Sequence, residues 1–262
     1  MVGAGGAIVI VIIGTLLGGD PQQILQALMA PEGQAPSRSL PQQAPSLGAD
    51  QASDFVAAVL GSTEDTWGEL FKKAGSQYPE PHLVLFRNAV ASACGRATSA
   101  TGPFYCPGDD QVYLDLGFFD ELAARFKAPG DFAQAYVIAH EIGHHVQNVT
   151  GIEKRVRAEQ RGKDDAEKNA LSVRMELQAD CYAGVWAHHA QASRPFLQQG
   201  DVEEALGAAT AIGDDRLQKQ ARGYVVPESF THGSSAQRVK WFSIGFKQGS
   251  IEACDTFSAP EL

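Results

Sequence analysis

His140-Glu141-Ile142-Gly143-His144 sets two imidazoles four residues apart with a carboxylate beside the first. At 3.6 residues per helical turn, the two rings share one face, a single turn apart. Neutral imidazoles placed in this way can share a tetrahedral zinc, and Glu141 can act as a general base on a water held there. Tyr136, Val137, Ile138, Ile142 and Val146 frame the motif with apolar side chains. A solvated helix carrying chance histidines would not be so framed.

Two histidines leave zinc short of ligands. The pattern H-E-x-x-H-x-x-G-x-x-H would supply a third locally, but Gln147 and Thr150 stand where its Gly and His belong. Glu176 and Asp180 offer a carboxylate from a later helix; four residues apart, they differ by about 40° around its axis. Glu176 can bind zinc while Asp180 accepts the outer N–H of a ligand histidine and fixes its tautomer. Ala179, Ala183, Gly184 and Ala187 suit a closely packed helix better than one presenting two exposed acids. His145 points about 100° away from the ligand face, which makes it a neighbour of the site or a surface group. His188 and His189 read as a surface pair, and His82 has no motif around it. His232 lies in a loop ahead of a helix, where it could donate to a tetrahedral oxyanion or simply cap and pack.

These groups need a scaffold, and 262 residues suffice for one with a real core. A net charge of −10, with no Lys/Arg run, excludes a general nucleic-acid binder. Cys94, Cys106, Cys181 and Cys254 contain no C-x-x-C pair, which removes zinc-ribbon and thioredoxin readings. Four cysteines allow three pairings; proximity and elimination favour Cys94–Cys106 with Cys181–Cys254.

Residues 2–19 carry no charge, and as a helix they would reach about 27 Å, enough for a bilayer core. We expect a transmembrane anchor over residues 1–20. A secretory signal is the competitor, but no small-x-small cleavage site stands out after Leu17. Pro31, Pro36, Pro41 and Pro45, among Gln, Ser and Gly, make residues 21–49 an extended linker. The folded domain then covers residues 50–262.

Within it the pattern predicts helices over Asp50–Leu60 and from Ser62 or Thr63 through Trp67, Leu70 and Phe71. A strand follows at Leu83–Phe86, then an irregular segment from Ala91 to Gly102. Phe104–Cys106 and Val112–Leu116 form an antiparallel hairpin. Phe118–Phe126 is helical, and Asp131 caps the zinc-motif helix. A solvated stretch, Glu153–Lys168, precedes a long helix over 170–192. Further helices open at Asp201 and Asp214, and a last one spans 236–248.

The phrases Ser92-Ala93-Cys94-Gly95, Ala100-to-Pro107, Val112-to-Asp115, Glu176-to-Trp186 and Ser229-to-Arg238, with the zinc motif, resemble the neutral zinc metallopeptidase family of YpfJ type. These are membrane-anchored bacterial proteins. The likeness runs from about Asp50 to Phe257 and includes the apolar start. The phrases E-x-x-A-D and T-H-x-S-x-x-x-R also resemble HtpX and CAAX-prenyl endopeptidases. The resemblance implies an α+β fold: a mostly helical zincin-like domain with a small antiparallel sheet, behind one N-terminal transmembrane helix. It implies Glu176 as third ligand, His232 as transition-state stabiliser, and Arg238 as its structural or catalytic neighbour. The chain departs from the family in lacking a basic segment before the anchor.

The expected function is that of a zinc-dependent endopeptidase of the Glu-zincin type with one zinc per chain. His140, His144 and Glu176 hold the metal, and Glu141 activates its water against a peptide or protein substrate. The domain is expected outside the cytoplasm, on a single-pass anchor. The alternative is a non-catalytic, zinc-stabilised envelope scaffold or binding protein. That reading calls for a fourth protein ligand, such as His145 or His232.

Overall fold

Val56, Val59, Thr63 and Trp67 are buried at helical spacing, and they lie on one continuous helix, α1 (Leu47–Lys73). The two helices expected here are therefore one. Thr63 does not cap a new helix; its hydroxyl donates back to the Leu60 carbonyl at 2.6 Å, a bond compatible with an unbroken helix. The structure, a computed structural model, describes residues 47–98, 101–118, 131–193 and 200–262. The expected anchor over 1–20, the linker as far as residue 46 and the 119–126 part of the predicted helix lie outside the described residues. The linker's last three positions, 47–49, already belong to α1. Among the described residues, no helix is long and apolar enough to cross a membrane.

Strand β1 (His82–Phe86) is followed by β2 (Ala89–Ser92), β3 (Gly95–Thr98), β4 (Phe104–Cys106) and β5 (Gln111–Asp115). Val112, Tyr113 and Leu114 are all buried, and β5 accordingly takes the centre of a three-stranded sheet of order β1-β5-β4. The expected hairpin is present, with Phe104 opposite Tyr113. The sheet is mixed, however, because β1 joins β5 in parallel with Val84 opposite Tyr113. A connection of some two dozen residues between those strands permits the parallel pairing. The segment read as irregular also contains the β2–β3 hairpin, with Ser92 opposite Gly95. Its small residues carry no apolar alternation to announce it. The Cys94–Cys106 disulfide fastens the hairpin's turn to β4.

The helical layer comprises α2 (Asp131–Val149), α3 (Ile152–Glu159), α4 (Asp165–Ser193), α5 (Asp201–Ala211), α6 (Asp214–Arg222) and α7 (Ser235–Gln248). Part of the stretch expected to be solvated is thus the short helix α3, which buries only Val156. Helix α4 lies between α2 and α7. It approaches α2 where Gly143 faces Ala179; a Cβ on Gly143 would come 3.0 Å from the Ala179 Cα. Against α7 the fit is tighter. A Cβ on Gly184 would lie 2.7 Å from the Phe246 nitrogen, and one on Gly245 would meet the Cys181 carbonyl and sit 2.9 Å from the Val185 nitrogen. We predict that Gly245→Ala costs about 3 kcal/mol in urea unfolding, because two backbones must part. A loss under about 1 kcal/mol would show that this crossing gives way freely.

A capping box of Ser234 and Gln237 opens α7. The Cys181–Cys254 disulfide pins the tail beyond it to α4. His188 and His189, expected as a surface pair, are half-buried instead. His188 Nδ1 lies 2.8 Å from the Phe246 carbonyl, and His189 Nε2 lies 2.8 Å from that of Gly249. They tie α4 to the carbonyl end of α7, where free backbone acceptors collect.

Candidate metal centre

Helix α2 carries His140 and His144 into the interior because its phase buries their face against α4, which in turn carries Glu176. His140 Nε2 lies 3.2 Å from His144 Nε2 and 3.2 Å from Glu176 Oε2, and the third side of the triangle is 3.6 Å. Zinc–ligand bonds of ~2.0–2.1 Å at tetrahedral angles give ligand–ligand separations of about 3.3 Å. The triangle matches that figure. Among the described residues two clusters are of metal-ligating type: this one, with His140 buried and His144 and Glu176 half-buried, and Asp131, Asp201 and Glu204, which is wholly acidic and has Asp131 exposed.

The chemistry of the donor set also fits a cation. His140 Nδ1 faces Asp180 Oδ1 at 2.8 Å, and His144 Nδ1 faces Gln147 Oε1 at 2.9 Å. Each ring therefore has an acceptor at its outer nitrogen, which directs an Nε2 lone pair inward. Two such lone pairs and a carboxylate oxygen then converge, an arrangement that only a cation or shared protons can hold.

Electrostatics agree. Burial disfavours the charged Glu176 carboxylate, but His144 and His232, with the His140 contact, hold its pKa well below the usual carboxylate range. Burial likewise opposes protonation of His144, and Glu176 and Glu141 outweigh it to raise its pKa to about 9. His140 moves upward for the same kind of reason, through Asp180 and Glu176. A bound dication replaces those protons, since ligand imidazoles bind in the neutral form.

Behind His140 lies a buried polar group. Asp180, fully buried, takes a bidentate pair from Arg238, with Nε to Oδ2 at 2.8 Å and Nη2 to Oδ1 at 2.9 Å. The Tyr136 hydroxyl donates to Asp180 Oδ1 at 2.5 Å and accepts from Arg238 Nη2 at 3.2 Å. Despite the cost of burial, Arg238 and His140 keep the Asp180 pKa at about 2. Asp180 thus stands at the outer nitrogen of His140. Arg238, implied by the resemblance to be a neighbour of His232, lines the same cleft as His232 and makes its hydrogen bonds behind the first histidine.

His232 lines the same cleft as Glu141, Glu176 and Arg238, an open cavity of about 540 Å³. Its loop is held by Asp214, the first residue of α6. Asp214 Oδ2 accepts from the backbone N–H groups of Thr231, His232 and Gly233 at 2.7, 2.6 and 3.1 Å. Its Oδ1 lies 3.3 Å from His232 Nδ1. Burial works against a charged His232, but Glu176 and Asp214 raise its pKa.

His145 is neither a ligand nor a surface group. It is buried, with Nε2 2.6 Å from the Pro79 carbonyl and Nδ1 3.2 Å from the Tyr105 hydroxyl. Burial lowers its pKa. Its neighbour on α2, Asn148, donates to the same hydroxyl at 2.9 Å. Together they fasten β4 to α2, one turn along from the metal-ligating face. Tyr136, Gln147 and Asp214 were not singled out from the sequence as parts of the site. Gln147 and Tyr136 do fall on the motif helix, three residues after His144 and four before His140, where helical phase brings them near the rings.

A family model described as "Putative neutral zinc metallopeptidase" matches residues 1–257. The chain belongs to this family. It is 50% identical over 255 residues to the uncharacterized protein YpfJ of Escherichia coli (strain K12), covering 97% of this chain and 87% of that one. It is 44% identical over 259 residues to the uncharacterized protein Rv2575 of Mycobacterium tuberculosis (strain ATCC 25618 / H37Rv), covering 94% and 86%. No solved structure matches the chain. Family membership supports a zinc-dependent peptidase and a peptide or protein substrate.

Proposed function

We propose that the protein is a zinc endopeptidase of the Glu-zincin type, with His140, His144 and Glu176 as ligands. The observation that carries this reading is the three-membered ligand set. Structural zinc sites are closed by four protein groups, whereas catalytic sites keep a position open. Of the two candidates for a fourth ligand, His145 has both ring nitrogens engaged, with Pro79 and Tyr105, and His232 stands outside the cluster of His140, His144 and Glu176 ligand atoms. That weighs against the scaffold reading.

Bound there, zinc supplies Lewis acidity, lowering the pKa of water at its open position towards about 7 and polarising a carbonyl. Glu141 faces the same cleft, takes a proton from the attacking water, and returns it to the leaving amine. His232, held at Nδ1 by Asp214 and the Thr231 hydroxyl, can in its protonated form present Nε2–H as a donor to the developing oxyanion. Asp180 and Arg238 hold the His140 ring; they position and do not react.

Strand β4 gives the substrate a track. It forms one edge of the sheet, and Phe104 and Tyr105 line the cleft. An extended peptide can add along such an edge through main-chain hydrogen bonds. Two disulfides suit an oxidising compartment. With the uncharged residues 2–19, they support an extracytoplasmic domain on a membrane anchor.

The test is hydrolysis of a quenched peptide library by the zinc-loaded chain. Cleavage should stop with a chelator, return with zinc and be blocked by a hydroxamate. A folded chain with one zinc that cleaves nothing and ignores the hydroxamate would favour the scaffold.

A further inference from the structure

Gln147 is wholly buried, and Gln178 nearly so. Neither serves in the chemistry above, yet a buried primary amide must place two donors and an acceptor. The Gln147 amide donates to the Met175 carbonyl at 2.7 Å and to Gln178 Oε1 at 3.1 Å, and its oxygen faces His144 Nδ1 at 2.9 Å. Gln178 donates in turn to the Cys254 carbonyl at 3.0 Å. An amide seen only by its shape can be turned either way, but a backbone carbonyl only accepts. The Met175 carbonyl therefore fixes which end of Gln147 is nitrogen. The Cys254 carbonyl does the same for Gln178, and the two assignments agree. Every bond then runs in one direction, from His144 through both amides to the tail beyond α7.

We propose that Gln147 and Gln178 form a positioning relay, fixed at its ends by two backbone carbonyls, that holds the His144 proton on Nδ1 and its Nε2 lone pair towards the metal position. This rests on the zinc-site reading given above. It assigns each ligand histidine its own kind of support: a charged Asp180–Arg238 pair behind His140, and a neutral amide chain behind His144. It also gives the C-terminal segment a function. The Cys181–Cys254 disulfide and the bonds from Arg174 to the Thr256 and Ala259 carbonyls hold the far end of the relay in place. A neutral chain holds the ring without placing a second anion near the Glu176 carboxylate. Both amides are positioning residues; neither reaches the reacting atoms.

The experiment is zinc affinity, by chelator competition, for the full chain, Gln147→Met, Gln178→Met and Ser62→Ala. Methionine keeps the length of the side chain and removes its hydrogen bonds. Losing the partner of a ligand histidine typically weakens metal binding 10–100-fold, and about that loss is expected for Gln147→Met. Gln178→Met should lose less, because Met175 still orients Gln147. Ser62→Ala removes the 3.1 Å bond from Trp186 Nε1 to the Ser62 hydroxyl, which has no part in the relay. It should lower the melting temperature and leave affinity unchanged. Affinity in Gln147→Met equal to wild type, or an equal loss in Ser62→Ala, overturns the proposal. Wild-type chain that folds but binds no zinc instead refutes the underlying site. If Gln147→Met does not fold, nitrogen-15 spectra of the zinc-loaded wild type decide. A slowly exchanging Nδ1–H on His144 is expected, and one that exchanges as fast as that of an exposed imidazole contradicts the relay.

Discussion

Glu141→Gln is expected to bind zinc as tightly as wild type and to lose peptide hydrolysis by at least about 10²-fold. The substitution keeps the size of the side chain and removes its ability to take a proton. Glu141 lines the cleft but stands outside the ligand triangle, so the metal should be held as before. General acid–base groups contribute roughly 10²–10⁴-fold, and this one is asked to act twice, on the attacking water and on the leaving amine. The loss should appear in kcat more than in KM, since Glu141 acts in the transition state and does little to hold the ground-state substrate. Zinc content and hydrolysis rate, measured on the same preparation, check the prediction. Undiminished turnover in the variant would remove Glu141 from the mechanism.

Arg238→Leu is expected to cost about 3–5 kcal/mol of stability, measured by urea unfolding with zinc chelated. The guanidinium makes a bidentate pair with a carboxylate that has no exposure to solvent. Its removal leaves Asp180 with only the Tyr136 hydroxyl and His140 as partners. The penalty is that of a buried charge without its counter-ion, larger than the net worth of the pair. Replacing both residues, Arg238→Leu with Asp180→Leu, should therefore be less harmful than the single change, although His140 then loses its orienting acceptor. A single variant within about 1 kcal/mol of wild type would mean that water reaches Asp180 and the group is not sealed.

The sequence was most legible where a motif and a helical period coincide. His140, His144, Glu176 and Asp180 sit on strongly patterned helices, and spacing alone predicts which faces they share. Proximity favours Cys94–Cys106 and elimination then leaves Cys181–Cys254; the structure contains both. Legibility ended where tertiary partners decide. Thr63 reads as a cap in isolation, but its bond to the Leu60 carbonyl leaves the helix running on. The β2–β3 hairpin is made of small residues with no alternation to reveal it. Asp214 opens a helix in sequence terms, and nothing nearby announces that it grips a loop 17–19 positions later. In the sequence Gln147 is simply the residue that stands where the longer zinc motif has glycine. Its bond to His144 depends on the Met175 carbonyl, 28 residues away, which a local reading cannot supply. Arg238 came with the family resemblance; only the packing of α7 on α4 places its guanidinium on Asp180.

The central claim is that His140, His144 and Glu176 hold one zinc. Metal content per folded chain, in wild type beside Glu176→Ala, tests it most directly. The account predicts one zinc in wild type and loss or severe weakening in the variant. Equally tight binding in both, or a folded wild-type chain that takes up no zinc when it is supplied, would contradict it.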